Sequence, residues 1–312
     1  MQPFLSICIP AYSNKTLVKQ CLESIAIQTF KDFEVIITDD SKDDSLIEVV
    51  NEFKDKFPLA YYHNSINLGS PSNWNKAIEL SKGAWIKILH YDDWFSSTES
   101  LQIIVDNIKK YPTQSFFFCA FTDNFLWNGT KKIVSATIVE QLLLRWNPLV
   151  LFQKVIIGNP SCTIVKREIH AEYDVHLKWA VDFEYYLRML KATNGRFKFI
   201  AANLMNIGFH EDQITQAVTR NPEVNITESH YLLQKLGGSI LKNIFVYDYY
   251  WRLYRNFKVN SVEELSKYKF SNNLPTTIKN IIKIENKIGF EKLNNGISSK
   301  IFMLLSYLRL YK

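Results

Sequence analysis

Two adjacent carboxylates, Asp92 and Asp93, follow an apolar segment, AWIKIL, that is typical of a buried strand. Two like charges side by side at a strand end repel each other, so the pair is costly unless a positive charge lies beside it. A hard divalent cation meets this need, because it takes carboxylate oxygens and keeps positions open for substrate phosphates. Trp94 and Phe95 would wall such a site. The pair also fits a simpler role, as an exposed acidic turn that caps a helix over residues 98–111.

Two further segments carry chemistry-bearing side chains. Asp39 and Asp40 follow another apolar segment in EVIITDDSKDDS, where carboxylates can accept hydrogen bonds from a ribose or a base N–H. Taken alone, this segment is more simply explained as a solvated Asp/Ser turn with helix N-caps. His210 follows a third apolar segment, in GFHEDQIT, and its polar flanks leave the ring free to reach a site.

Alternating strands and helices must position these side chains. The first hundred residues contain four apolar segments of strand length separated by helical patterns, in the order FLSICIP, KTLVKQCLESIAIQ, FEVIITDD, DDSLIEVVNEFKDKF, LAYYHN, SPSNWNKAIELSKG and AWIKILHYDD. This order predicts βαβ units and a parallel sheet in an α/β fold. Ligands bind at the carboxyl ends of such strands, where Asp39, Asp40, Asn67, Gly69 and the acidic pair fall.

The rest of the chain is less regular and then becomes helical. Helices are predicted in TESLQIIVDNIKKY, IVEQLLLRW and AVDFEYYLRMLKAT, strands in SFFFCAF, SCTIVKR and FKFIAANLMNIGFH, and either type in PLVLFQKVI. After Pro222 the patterns are mainly helical. We therefore expect one domain over residues 1–220 and a C-terminal helical region over residues 221–312.

Composition narrows the class of protein. The 312 residues carry a net charge of +6, which fits an anionic ligand or a membrane surface but is too weak and too dispersed to predict nucleic-acid binding. The four cysteines form no C-x-x-C pair, which favours reduced core cysteines over a zinc site. With neither a signal peptide nor an apolar segment of membrane-spanning length, the sequence predicts a cytoplasmic protein.

Six motifs in order carry a resemblance to a known family. They are PAYSN, EVIITDDSKDDS, NLGSPSNWNKAI, KGAWIKILHYDDW, AVDFEYYLR and GFHEDQ, within residues 4–215. This succession resembles the family-two glycosyltransferases, which are inverting enzymes with the Rossmann-like GT-A fold, a mostly parallel central sheet with helices on both faces. The resemblance implies transfer of a sugar from a nucleotide donor, a UDP-sugar by preference, to a hydroxyl of a glycan or lipid-linked acceptor in bacterial surface-polysaccharide synthesis.

The resemblance also implies roles for individual residues. The nucleotide site would be formed by Pro10, Ala11, Tyr12, Asp39, Asp40, Asn67, Gly69 and Asp92, with Asp39 rather than Asp40 bonded to the base. Mn²⁺ or Mg²⁺ would be held by Asp92, Asp93 and His210. Asp182 would be the general base. The sequence departs from the family pattern at His90, where the first Asp of the metal motif is expected, and at Val181, which replaces a Glu.

The acceptor side is less specific. Asn159 and Ser161 in GNPSC fall where the acceptor loop is expected, and Trp179 could stack on a sugar ring. Tyr185, Tyr186 and Trp146 have the same two interpretations, as stacking residues or as core residues.

The C-terminal segment KLNNGISSKIFMLLSYLRLYK is basic and amphipathic. It could lie on an anionic membrane, or it could pack on its own domain or on a second subunit of a homodimer.

Two other functions remain open at this point. A nucleotidyltransferase of similar fold would usually have a Gly-rich, basic loop after the first strand, and PAYSNK matches that poorly. A non-catalytic sugar-nucleotide-binding or scaffold protein would tolerate the departures at His90 and Val181.

Overall fold

The computed structural model describes residues 2–210, 213, 218, 221–268 and 274–311. The chain divides into two compact units. Unit 1 comprises residues 1–148 and 156–213, and unit 2 comprises residues 149–155 and 214–312.

Unit 1 is built on one sheet, which has nine strands among the described residues. The strands are β1 (Leu5–Ala11), β2 (Phe33–Asp39), β3 (Leu59–His63), β4 (Trp85–Ile88), β5 (Asp93–Phe95), β6 (Phe116–Phe125), β7 (Thr130–Val134), β8 (Thr163–Lys166) and β9 (Lys198–Phe209). Their order is β3-β2-β1-β4-β8-β6-β9-β5, with β7 paired to β6. Strands β1 to β4 are mutually parallel, as are β6 and β9, whereas β5, β7 and β8 pair in the antiparallel sense. The predicted α/β class with a mostly parallel sheet is confirmed.

Six helices accompany this sheet in the described part of unit 1. They are α1 (Lys15–Ala26), α2 (Leu46–Asn51), α3 (Ser72–Leu80), α4 (Ser100–Lys110), α5 (Ile138–Trp146) and α6 (Val181–Ala192). Local signals fix several ends: the Asn14 side chain caps α1, and Thr137 and Glu140 form a capping box at α5. Helix α2 is shorter than predicted, because the chain leaves it in turns that bury Phe53 and Phe57.

The core lies along the central strands. Every residue of β1 is buried, as is nearly every residue of β2, which is the expected pattern for strands covered on both faces. All four cysteines are buried and free, as the sequence predicts.

The sheet brings the polar segments together at the carboxyl ends of its strands. Ala11 at the end of β1 lies in register with Asp39 at the end of β2. The next strand along, β4, ends at Ile88, shortly before the acidic pair. Antiparallel pairing of β5 with β9 then places Asp93 opposite Ile207, which brings the end of β9 to the same region.

Unit 2 is helical throughout its described residues, apart from its turns. Its helices are α7 (Pro222–Leu236), α8 (Ile244–Phe257), α9 (Thr276–Ile288), α10 (Phe290–Leu293) and α11 (Gly296–Tyr311), with single 3₁₀ turns at Pro148–Phe152, Gly238–Lys242 and Glu263–Tyr268. The segment PLVLFQKVI thus contains a 3₁₀ turn. Aromatic residues of α8, including Trp251 and Tyr254, fill the core of this unit. Among the described helices, none combines the length and apolarity needed to cross a bilayer.

Candidate active site

The acidic pair is held in place by hydrogen bonds from the end of β9 and from the segment before β8. Asp93 is 1% exposed, and its Oδ2 accepts a hydrogen bond from Asn159 Nδ2 at 2.9 Å while its Oδ1 accepts one from the Gly208 N–H at 3.1 Å. Asp92 Oδ2 accepts a bond from Gln213 Nε2 at 2.6 Å and lies 3.2 Å from His210 Nε2. The two carboxylates therefore belong to a built site and are not an exposed turn.

The pKa values of the two carboxylates are shifted in opposite directions. Burial and the charge of Asp92 raise the pKa of Asp93 well above its ordinary value. Burial acts on Asp92 as well, but hydrogen bonds from His210 and Gln213 and the nearby His90 outweigh it, so the pKa of Asp92 is lowered. A cation beside the pair would relieve the repulsion between the two carboxylates.

His90 completes a group of three side chains with metal-ligand chemistry. Its ring, Asp92 and Asp93 each offer an atom within 4.8 Å of the others. Within the described residues, the buried His90 Nε2 has no hydrogen-bond partner. Burial lowers the pKa of His90, so the ring is neutral near pH 7, which is the form that ligates metals. His90 Nδ1 lies 3.9 Å from Asp93 Oδ2, and the chemistry of these donors fits a divalent cation.

Neighbouring side chains orient His90. Its ring packs on the Trp74 indole with ring centroids 4.7 Å apart, and its backbone N–H donates to Ser161 Oγ at 2.9 Å. The sequence identified His90 only as a departure from the family pattern. Its spacing two residues before Asp92 was the available signal for a ligand role.

A buried lysine lies behind the pair. Lys87 on β4 is 0% exposed, donates to the backbone carbonyl of Ser161, and lies 5.5 Å from the Phe95 ring centroid. Burial lowers its pKa, while the charge of Asp93 acts in the opposite direction. Neither Lys87 nor Gln213 was identified from the sequence, because a single polar residue in an apolar strand or a loop carries no spacing signal.

The predicted acceptor residues occupy different environments. Asn159 bonds to Asp93, and Ser161 is fully buried against His90 and Lys87. Trp179, just before α6, is 37% exposed.

The other aromatic candidates also differ in their exposure. Tyr185 and Tyr186 are buried in the core, whereas Trp146 at the end of α5 is 78% exposed.

Asp39 is enclosed by hydrogen bonds at the end of β2. Its carboxylate accepts bonds from the Ser41 N–H at 2.8 Å and from the Tyr61 hydroxyl at 2.7 Å. Ser41 in turn accepts a bond from the Ser13 N–H through its hydroxyl at 2.7 Å, which ties the loop after β1 to this position. Tyr12 in that loop is 43% exposed, whereas Pro10 and Ala11 are buried.

Asp40 organises the segment before α3. Its carboxylate accepts bonds from Asn64 Nδ2 at 2.7 Å, from the Leu68 N–H at 3.0 Å and from the Gly69 N–H at 2.8 Å. Asn67 donates to the Asp40 carbonyl at 2.8 Å. The predicted nucleotide residues of β2 and of the α3 loop thus form one bonded unit.

Asp182 lies in the first turn of α6, partly buried. Burial raises its pKa from 3.8 to about 6, and the hydrogen bond from the Phe183 N–H at 2.7 Å only partly offsets this. The sequence left open a salt-bridged face that joined Asp182, Glu184 and Arg188. In the structure Arg188 pairs with Glu184 at 2.7 Å, which leaves Asp182 with the acidity of a base that works near neutral pH.

A stack of aromatic rings connects the start of α6 to the acidic pair. Tyr173 lies between Tyr185 of α6 and Trp74 of α3, with centroid distances of 4.1 Å and 5.1 Å. Trp74 contacts His90 on its other side. Burial raises the pKa of Tyr173, and the charges of Tyr185 and Asp182 add to this effect.

The sequence profile of the glycosyl transferase family 2 matches residues 6–174, which include both acidic pairs and Asn159. The chain belongs to glycosyl transferase family 2. It is therefore a glycosyltransferase, and the predicted family is confirmed.

The curated relatives include bacterial proteins. The chain is 25% identical over 218 residues to the putative colanic acid biosynthesis glycosyl transferase WcaA of Escherichia coli K12, a match that covers 69% of this chain and 76% of that protein. It is 33% identical over 102 residues to the poly(ribitol-phosphate) beta-glucosyltransferase of Bacillus spizizenii, which covers 31% of this chain and only 16% of that longer protein.

Solved structures share the fold. TarS residues 1–349 of S. aureus, in complex with UDP-GlcNAc, match with a TM-score of 0.62 at 18% identity over 98% of this chain and 90% of that chain. The mannosyltransferase PcManGT of Pyrobaculum calidifontis, in complex with GDP-Man and Mn²⁺, matches with a TM-score of 0.56 at 13% identity over 98% and 74%. These likenesses confirm the predicted GT-A fold.

Proposed function

We propose that this protein is an inverting, metal-assisted glycosyltransferase. It would move a sugar from a UDP-sugar to a hydroxyl of a glycan or lipid-linked acceptor in bacterial surface-polysaccharide synthesis. The names of the curated relatives support the pathway class. The observation that carries the site assignment is the cluster of the buried Asp93 with the partly buried Asp92 and His90, beyond the carboxyl end of β4.

The cluster fits a divalent cation, Mn²⁺ or Mg²⁺. Asp92, Asp93 and His90 would hold it, and His210 would support it through its contact with Asp92. When bound, the cation supplies charge neutralisation for the diphosphate leaving group. This differs from the assignment based on family resemblance, in which His210 was the third ligand and His90 had no role.

The nucleoside would lie over the ends of β1 and β2. Tyr12 is an exposed aromatic residue at that edge, and the base would be recognised at Asp39. Asp39 already accepts bonds from Ser41 and Tyr61, so contact with a base N–H would share or exchange one of them. Asp40 would act through the backbone of Leu68 and Gly69, whose N–H groups its carboxylate binds.

Asp182 would act as the general base. Its raised pKa lets it accept the proton of the acceptor hydroxyl as that oxygen attacks the anomeric carbon. The bond from that carbon to the diphosphate breaks on the opposite face, so one displacement inverts the configuration. No covalent nucleophile is required.

The segment around Asn159 would position the acidic pair. We assign Asn159 and Ser161 this role in place of acceptor contact, because one bonds Asp93 and the other is buried beneath His90. Trp179, which is partly exposed near the start of α6, remains the candidate for stacking on a sugar ring.

Calorimetric titration of UDP, with and without Mn²⁺, tests the proposal directly. Wild-type protein should bind UDP more tightly with the metal present. The double variant Asp92→Asn, Asp93→Asn should lose that metal-dependent gain. The matched control is Asp55→Asn, Asp106→Asn, which removes two exposed carboxylates of unit 1 and should behave as wild type.

GDP titrated in parallel tests the nucleotide, because the fold neighbours include one complex with each nucleotide. Tighter metal-dependent binding of GDP would move the donor to a GDP-sugar and leave the metal site intact. Absence of binding by every nucleotide, in a protein that remains folded, would refute the proposed donor site.

A further inference from the structure

Helix α11 exposes its more apolar side. Its exposed apolar residues are Ile297, Ile301, Leu304, Leu305 and Leu308, which we call the apolar stripe, whereas its buried residues are Ser299, Met303 and Ser306. The stripe positions recur at intervals of three and four residues and therefore lie on one face. A helix that only packs on its own unit would bury this face.

A basic cavity lies at the start of the same helix. It has a volume of about 230 Å³ and is lined by Asp248, Trp251, Arg252, Arg255, Gly296, Ser299 and Lys300. Asp248 is 5% exposed and is bonded to Lys300 at 2.9 Å and to Arg252 at 3.1 Å. Arg255 donates to Ser299 Oγ at 2.8 Å, and Lys300 keeps 47% of its side chain exposed.

The cavity has more positive than negative charge. Three cationic side chains face a single lining carboxylate, Asp248, which neutralises only one of them. A second carboxyl group, Glu285 on α9, interacts with the charge of Arg255. It is fully buried, and burial raises its pKa to about 9, so near pH 7 it is neutral and adds no negative charge. The excess predicts an anionic ligand.

The apolar stripe and the basic cavity lie next to each other on α11. Lys300 lines the cavity and lies one helical turn from Leu304 of the stripe. On the other edge of the stripe lies the exposed Arg309. Residues 296–311 contain no acidic side chain. An apolar face flanked by cations complements a surface that presents anions above hydrocarbon.

We propose that α11 and the basic cavity form a docking surface for an anionic phospholipid bilayer, with a headgroup phosphate at Arg252, Arg255 and Lys300 and the apolar stripe in the acyl region. This extends the proposed function, since a bilayer is where a lipid-linked acceptor would be found. Vesicle binding can be measured without sugar transfer, so the two proposals can fail separately.

Co-sedimentation with phosphatidylglycerol vesicles tests the docking surface, and phosphatidylcholine vesicles provide the neutral comparison. Wild-type protein should bind the anionic vesicles, and added salt should weaken that binding. The variant Arg255→Gln, Lys300→Gln should bind roughly 25-fold more weakly, at about fivefold for each lost charge. The variant Ile301→Ser, Leu305→Ser should bind the anionic vesicles at least about tenfold more weakly.

Two controls separate the surface from general effects. Lys283→Gln, Lys287→Gln removes two exposed charges from α9 of the same unit and should keep wild-type binding. Circular dichroism with thermal unfolding confirms that each variant is folded.

Three results would overturn the proposal. In the first, the folded wild-type protein does not bind anionic vesicles. In the second, the α9 control loses as much vesicle binding as Arg255→Gln, Lys300→Gln does. The third is a concentration-dependent dimer that Ile301→Ser, Leu305→Ser abolishes, without vesicle binding, because a second copy would then cover the apolar stripe.

Discussion

Replacing Asp182 with asparagine should remove most sugar transfer and stabilise the folded protein near neutral pH. Burial raises the pKa of Asp182 from 3.8 to about 6. At about 1.4 kcal/mol per pH unit, this difference corresponds to about 3 kcal/mol. Since the folded state keeps its proton to a higher pH than the unfolded chain, the ionised carboxylate lowers the free energy of unfolding.

The pH dependence of this stability difference follows from the raised pKa of Asp182. At about pH 4 and below, the wild type and Asp182→Asn should have similar free energies of unfolding. As the pH rises from about 4 to about 6, the wild type should lose up to about 3 kcal/mol relative to the variant, and the difference should then stay constant. Urea denaturation at a series of pH values measures it. The control Asp106→Asn, an exposed carboxylate of α4, should show no such divergence.

Activity should change in the opposite direction. With a purified donor and acceptor, kcat should fall by roughly 10² to 10⁴ in Asp182→Asn, while UDP binding is retained. The wild-type kcat/KM should rise with pH with an apparent pKa of about 6, because the base must be ionised. Substantial activity in the variant would show that Asp182 is not the base. A variant less stable than wild type near neutral pH would contradict the stability argument from the raised pKa of Asp182.

Four further substitutions test other parts of the structure. His90→Phe keeps a ring against Trp74 but removes the nitrogens, and it should weaken the Mn²⁺-dependent part of UDP binding by about 10-fold or more, measured by calorimetry; unchanged binding would exclude a ligand role. Gly69→Ala and Gly129→Ala both place alanine at a positive φ (+72° and +70°) in open space, so each should cost about 1 kcal/mol in urea denaturation. Only Gly69→Ala should also weaken UDP binding. Glu285→Gln should raise the free energy of unfolding at pH 7, with the gain disappearing below about pH 4, because burial raises the glutamate pKa to about 9; a pH-independent effect would contradict this.

Local patterns in the sequence predicted the central strands and the helices between them. The apolar segments of β1, β2 and β4 carry their own signal, since strands buried on both faces are nearly continuous in Val, Ile and Leu. The antiparallel pairings of β8 with β4 and of β5 with β9 could not be predicted, because each joins strands that are far apart in the chain. The pattern also missed β7, whose side chains are mostly exposed.

The acidic residues of the site could be predicted from the sequence, but the residues that contact them could not. Asp92 and Asp93 stood out because adjacent carboxylates after a buried strand need an explanation. His90 was recorded as a mismatch, and its closeness to both carboxylates became evident only from the turn that follows β4. The contact of Asn159 with Asp93 spans 66 residues, a separation at which spacing carries no information.

Gly208 donates its N–H to Asp93, and a Cβ at this position would overlap the backbone carbonyl oxygen of Asp92. Any side chain there would therefore push the acidic pair out of place, whatever its polarity. For directed evolution of donor preference, position 208 should stay fixed while the loop at Tyr12 and the exposed Trp179 are randomised. A saturation library at Gly208 should return glycine almost alone among active clones, so mutational effort there would be wasted.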